Sequence, residues 1–150
     1  MSNKAFEEKI KQALSGDTLK NALDFVDFLQ ANDDFFAEPC DGADGWNIYR
    51  KGINSAYAAF NSDKNTFDIV LHINTYDGEE LVEDDLKEFA WSHVIICPKG
   101  CGNTTLCGES KTHNKIFEKE YEYICQSPLY FPNPNADEMK KVQKLLMLFH

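Results

Sequence analysis

In TFDIVLHIN, residues 66–74, Phe67, Ile69, Leu71 and Ile73 fall on one side of an extended chain, and Asp68, Val70 and His72 on the other. That alternation demands a sheet with one buried face. Two more strand-like segments precede it, GWNIYRK and SAYAAFN, separated by the turn-like GIN and followed by the polar SDKN. Connections this short join antiparallel neighbours, so the centre of the chain predicts an antiparallel meander.

A meander with one apolar face needs a covering layer, and the flanking segments supply it. Phe6, Ile10, Ala13 and Leu14 recur at helical spacing until Ser15 and Gly16 end the stripe. A second helix follows, with Asp17 or Thr18 as its cap and Leu19, Ala22, Leu23, Val26 and Leu29 as its stripe. Phe25 and Phe28 widen that face, which predicts a helix sandwiched between other elements. Val82, Leu86, Phe89 and His93 form a third stripe, preceded by acidic residues that suit the positive end of a helix dipole. Asn135 and Glu138 form a capping box for a last helix with stripe Met139, Val142, Leu145, Leu146 and Phe149. KIFEKEYEYIC alternates and reads as one strand, with Phe117, Lys119, Tyr121, Tyr123 and Cys125 on one face. The expected architecture is a single α+β domain over 1–150: a mostly antiparallel meander sheet packed with N-terminal and C-terminal helices.

The chain has 25 acidic and 15 basic side chains, a formal net charge of −10, which repels phosphate backbones and excludes nonspecific nucleic-acid binding. No apolar run approaches the roughly 18 residues of a membrane span, and the N-terminus lacks the apolar core of a signal peptide. A cytoplasmic protein is expected, with a small molecule or another protein as partner.

Between Pro98 and Lys115 lies a polar connection whose only large apolar residue is Leu106. Structureless loops longer than about 12–15 residues are uncommon in compact domains. Something must hold this one, and the thiols offer a means. Cys97, Cys101, Cys107 and Cys125 form a cysteine-rich unit over 97–125, in which four thiolates can surround one zinc ion. Gly100, Gly102 and Gly108 let the backbone bend around a metal, and Lys99, Lys111 and Lys115 can offset its thiolate charge. The spacing is looser than paired C-x2-C knuckles, and His93 or His113 can replace a sulfur. His93 lies on an apolar stripe and reads better as a core histidine. Reduced thiols without a special role, redox-active thiols and disulfides are the alternatives, the last disfavoured by a cytosolic setting. Cys40 stands apart as an unpaired fifth cysteine.

Catalytic signatures are weak. The chain carries no G-x-S-x-G, H-E-x-x-H, P-loop or dinucleotide fingerprint, so it reads as a binding protein rather than an enzyme. Asp68 and His72 share a strand face but sit too far apart along it for a dyad. Trp46, Tyr49, Tyr57, Phe60 and Tyr76 can line an aromatic pocket on the sheet, a metal-free route to small-molecule binding; core packing explains them equally well.

The run LKEFAWSHVIICPKGC, the later IFEKEYEYIC and the NPN-opened final helix resemble a group of uncharacterised small bacterial proteins, mainly from Gram-positive anaerobes. The matching positions are Trp91, Cys97, Cys101, Cys107, Phe117, Lys119, Glu120, Tyr121, Cys125 and Pro134. The resemblance implies that the cysteines act as one unit, and it implies no activity. Glu118 stands where the pattern has glycine, which argues against a tight turn there.

Overall fold

The computed structural model describes residues 2–40, 45–72, 82–96 and 111–148; at residues 2, 96, 111–115 and 122–128 only the backbone is described. Within these residues the chain forms α1 (Ser2–Ala13), α2 (Gly16–Gln30), β1 (Phe35–Pro39), β2 (Gly45–Arg50), β3 (Ile53–Asn61) and β4 (Thr66–Leu71). Then come α3 (Asp84–Trp91), β5 (Val94–Ile96), β6 (Lys111–Ile116), β7 (Lys119–Phe131) and α4 (Ala136–Leu148). All seven strands join one antiparallel sheet in the order β1-β2-β3-β4-β7-β5, with β6 also paired to β7. The α+β architecture with a central meander is therefore as expected.

The sheet buries one face. Phe67, Ile69 and Leu71 of β4 are 1% exposed or less, as are Ala56 and Ala58 beside them on β3 and Leu129 and Phe131 on β7. Each large side chain sealed this way contributes about 1.5–3 kcal/mol. Phe6 of α1 lies 5.0 Å from Trp46 and 6.4 Å from Phe67, and Phe25 of α2 lies 6.0 Å from Phe67. These rings lock both N-terminal helices onto β2 and β4. α2 packs against α1, α4, β1 and β4, the sandwiched position its wide apolar face predicts.

Local signals account for most boundaries. The capping box of α4 forms in both directions: Asn135 N donates to Glu138 Oε1 at 3.1 Å, and Glu138 N donates to Asn135 Oδ1 at 2.8 Å. The cap of α2 is Ser15, not Asp17 or Thr18, and its own side chain makes no capping bond. Asn65 reaches across from the β3–β4 turn instead. Its Oδ1 accepts from Ser15 N at 2.9 Å and its Nδ2 donates to Ser15 O at 3.3 Å, so a tertiary contact fixes the corner.

Two strands escape the sequence pattern. FFAEP forms β1, at one edge of the sheet, and the three-residue β5 pairs with β7. KIFEKEYEYIC is not one strand. It folds back at Phe117 and Glu118, whose φ angles of 46° and 74° make a tight hairpin turn between β6 and β7. The left-handed turn forms despite the absence of glycine at Glu118. The 98–115 connection is correspondingly shorter, because β6 occupies 111–116.

Asn3 of α1 closes the β1 edge. Its Oδ1 accepts from Ala37 N at 2.8 Å and its Nδ2 donates to Phe35 O at 3.3 Å, as a neighbouring strand would. Asn3→Ala is expected to cost about 1–2 kcal/mol in urea unfolding. A loss below about 0.5 kcal/mol would show that water serves this edge equally well.

Candidate functional site

Strand β7 is the backbone frame of the cysteine region. A strand has two hydrogen-bonding edges, and two residues of β7 have register partners on both sides. Leu129 pairs with Leu71 of β4 and with Val94 of β5; Ile124 pairs with Ile96 of β5 and with Lys111 of β6. β4 and β6 thus share one edge of β7, end to end, and β5 runs along the other. The register of β5 against β7 is irregular: two residues advance from Val94 to Ile96 while five pass from Leu129 back to Ile124. Residues 125–128, which include Cys125 and Pro128, form the resulting bulge. Proline lacks the N–H a ladder requires, so a bulge is where a strand tolerates it.

Of the four proposed metal ligands, Cys125 lies in β7, and Cys97, Cys101 and Cys107 fall outside the described residues. Lys111, His113 and Lys115 lie in β6, and Lys99 falls outside. Among the described residues, no three His, Cys, Asp or Glu side chains cluster as a metal site would require.

His93 sits just beyond α3 and is held by the core. Its Nδ1 donates to Phe89 O at 2.7 Å, since a carbonyl can only accept, and Ser92 Oγ lies 3.1 Å from the same nitrogen. The ring packs against Phe89 at 4.6 Å and Phe131 at 4.8 Å. This is a satisfied core histidine, with one nitrogen committed to the backbone.

The aromatic pocket expected from Trp46, Tyr49, Tyr57 and Phe60 does not assemble. Trp46 and Phe60 point into the helix-covered core, whereas Tyr49 and Tyr57 are half-buried on alternate positions facing away from it. The two-residue period explains the division, since an odd step separates Trp46 from Tyr49 and Tyr57 from Phe60 along their strands. Tyr76 lies outside the described residues. On the open face, Tyr49 stacks on Phe36 at 5.0 Å and 12°, and Tyr57 lies over Gly45, where any Cβ would meet its hydroxyl. Cys40 is a half-buried free thiol. Burial first, then electrostatic repulsion from nearby Cys40, raises the Tyr57 phenol above its usual 10.

Asp68 is a structural carboxylate. Oδ1 accepts from Asn133 N at 2.9 Å and Oδ2 from the Tyr130 hydroxyl at 3.3 Å, so both oxygens tie β4 to the end of β7. Burial first, then the charge and hydrogen bond of Asp68, raise the Tyr130 phenol above its ordinary value. A groove of about 560 Å³ runs between α2 and α4, lined by Leu19, Leu23, Asp24, Asp27 and Lys140. Asp24 there accepts from Lys140 at 3.0 Å and Gln143 at 3.0 Å, an interhelical tie.

No protein-family model, curated protein or solved structure matches the chain.

Among the described residues, His72 gives a pH dependence near neutrality. Burial lowers its imidazole below the ordinary 6.5, because a buried ring resists charge. The unfolded chain therefore binds the proton more readily, and stability present above pH 6.5 is lost as pH falls through the folded value. Unfolding between pH 7.5 and 5 is expected to show this decline, flattened in His72→Gln. An unchanged slope in the variant would assign the decline to other groups.

Proposed function

We propose that the chain is a cytoplasmic binding or regulatory protein whose cysteine cluster holds a structural zinc ion through Cys97, Cys101, Cys107 and Cys125. Its place among the small bacterial proteins with such a cluster is part of the same proposal. One observation carries the reading. Ile96, the residue before Cys97, and Lys111 both pair with Ile124, the residue before Cys125. The 97–110 connection therefore leaves and re-enters the sheet beside the same point of β7. A chain closing on itself there has a fourth thiol on the strand between its ends.

The chemistry suits zinc. Thiolate is a soft ligand, four of them satisfy tetrahedral zinc, and metal binding contributes directly to the stability of the segments it joins. The bulge at 125–128 adds to this, since bulges free backbone and re-aim side chains where a strand meets a site. Zinc would act as a staple, tying a polar connection to the sheet in place of an apolar core. A binding partner, a small molecule or a protein, would then recognise the ordered segment.

Elemental analysis of protein purified under reducing conditions is expected to give about one zinc per chain, reduced in Cys125→Ser. Chelation should lower the melting temperature of the wild type and leave that of Cys125→Ser nearly unchanged. A wild type with substantially less metal and no response to chelation would contradict the reading. Rapid alkylation of one thiol near neutral pH in such protein would point to redox chemistry instead.

A further inference from the structure

Trp91 and Tyr121 come together where the end of α3 meets the start of β7, and both are half-buried. Each ring is held at its polar end. Trp91 Nε1 donates to Ile116 O at 2.7 Å, which fixes the indole against the last residue of β6. The Tyr121 hydroxyl oxygen is sealed from solvent, so the phenol is anchored by its tip. One ammonium serves both rings: Lys119 Nζ lies 5.7 Å from each centroid, over the ring face. The hairpin turn sets it there. Phe117, fully buried, and Glu118 turn the chain with left-handed φ angles of 46° and 74°, and Lys119 follows directly. Glu118 Oε1 lies 3.6 Å from Nζ of Lys87 on α3, whose side chain is only 11% exposed.

This is an unusual setting for a lysine in an acidic chain. The protein has 25 acidic side chains, yet among the described residues Lys119 enters no ion pair. The carboxylate before it, Glu118, is taken by Lys87. A compact, strongly hydrated ammonium gains less from ring faces than a weakly hydrated cation does. The spacing points the same way. A cation–π contact reaches about 6 Å, so a bare ammonium at 5.7 Å stands near the far limit of both rings and leaves room for methyl groups around the nitrogen.

We propose that the faces of Trp91 and Tyr121 form a two-walled site for a trimethylammonium group, with the Lys119 ammonium as its resident stand-in. The site is separate from the proposed zinc site and does not depend on it. Lys119 is exposed, so its long side chain can leave the rings for solvent as the ligand enters. The net charge of −10 favours the approach of a cation. The same headgroup is carried by free choline-type molecules and by a trimethylated lysine, and the two sources separate in the test.

The test uses the whole chain and its two indole N–H signals in NMR spectra. Choline chloride is expected to shift the Trp91 signal saturably, with a dissociation constant of about 1–10 mM, while Trp46, buried on β2, stays in place. Sodium chloride at equal ionic strength controls for screening. Lys119→Ala, an exposed change, should tighten choline about fivefold by removing the competing ammonium. Tyr121→Leu should weaken it about fivefold, with the Trp46 signal reporting that the core is intact. If Tyr121→Leu does not fold, Lys119→Ala decides alone. Nα-acetyl-trimethyllysine amide is expected to bind as well; tighter binding than choline assigns a peptide-borne ligand, and weaker binding a free one. No saturable shift at Trp91, the same shift with sodium chloride, or a choline affinity indifferent to Lys119→Ala would overturn the proposal.

Discussion

Strand β7 is the member on which the other parts converge. Hydrogen bonds on both of its edges join the meander at β4, the hairpin at β6 and the short strand β5. Backbone groups buried in a sheet must be paired, so a strand with partners on both edges fixes the position of everything it pairs with. Its C-terminal end is pinned twice more, through Asp68 to Tyr130 and Asn133, and through the N–H of Tyr130 to His93 O at 3.1 Å. The first half of the protein is a conventional one-faced sheet under two helices. The second half depends on this strand.

The arrangement divides the stabilising forces along the chain. Between α1 and β4, aromatic burial dominates, with Phe6 and Phe25 each packed on Phe67 and none of the three more than 1% exposed. Around α3, polar and charged contacts take a larger share: the indole bond to Ile116, the Lys87–Glu118 pair and the imidazole bond to Phe89. An ion pair with one partner exposed contributes little by itself. It matters here because the alternative leaves Lys87 buried and unpaired. A region held this way would gain from an added cross-link, which is what the proposed zinc site would provide.

Much of the fold was legible because its signals are local. The alternation of Phe67, Ile69 and Leu71, the stripes of α2 and α4, and the Asn135–Glu138 box each need only a few consecutive residues. β1 was missed because FFAEP is short and ends in proline, and its pairing partner is needed to define it. The turn at Phe117 and Glu118 was hidden because neither residue is a turn former; the contacts from α3 that support it are twenty-five residues distant for Trp91 and Ile116. Asn65 as the support of the α2 corner is similarly nonlocal, fifty residues from Ser15. For the site, the sequence supplies only a proposal of which thiols would act together. It did not indicate that Ile124 brackets the 97–110 connection, because strand register is a property of pairs.

The zinc-thiolate staple is the central claim, and X-ray absorption at the zinc edge tests it most directly. The account predicts a first shell of four sulfurs at about 2.3 Å in protein reconstituted with about one equivalent of zinc. A shell dominated by nitrogen or oxygen, or zinc that washes away on desalting, would contradict it.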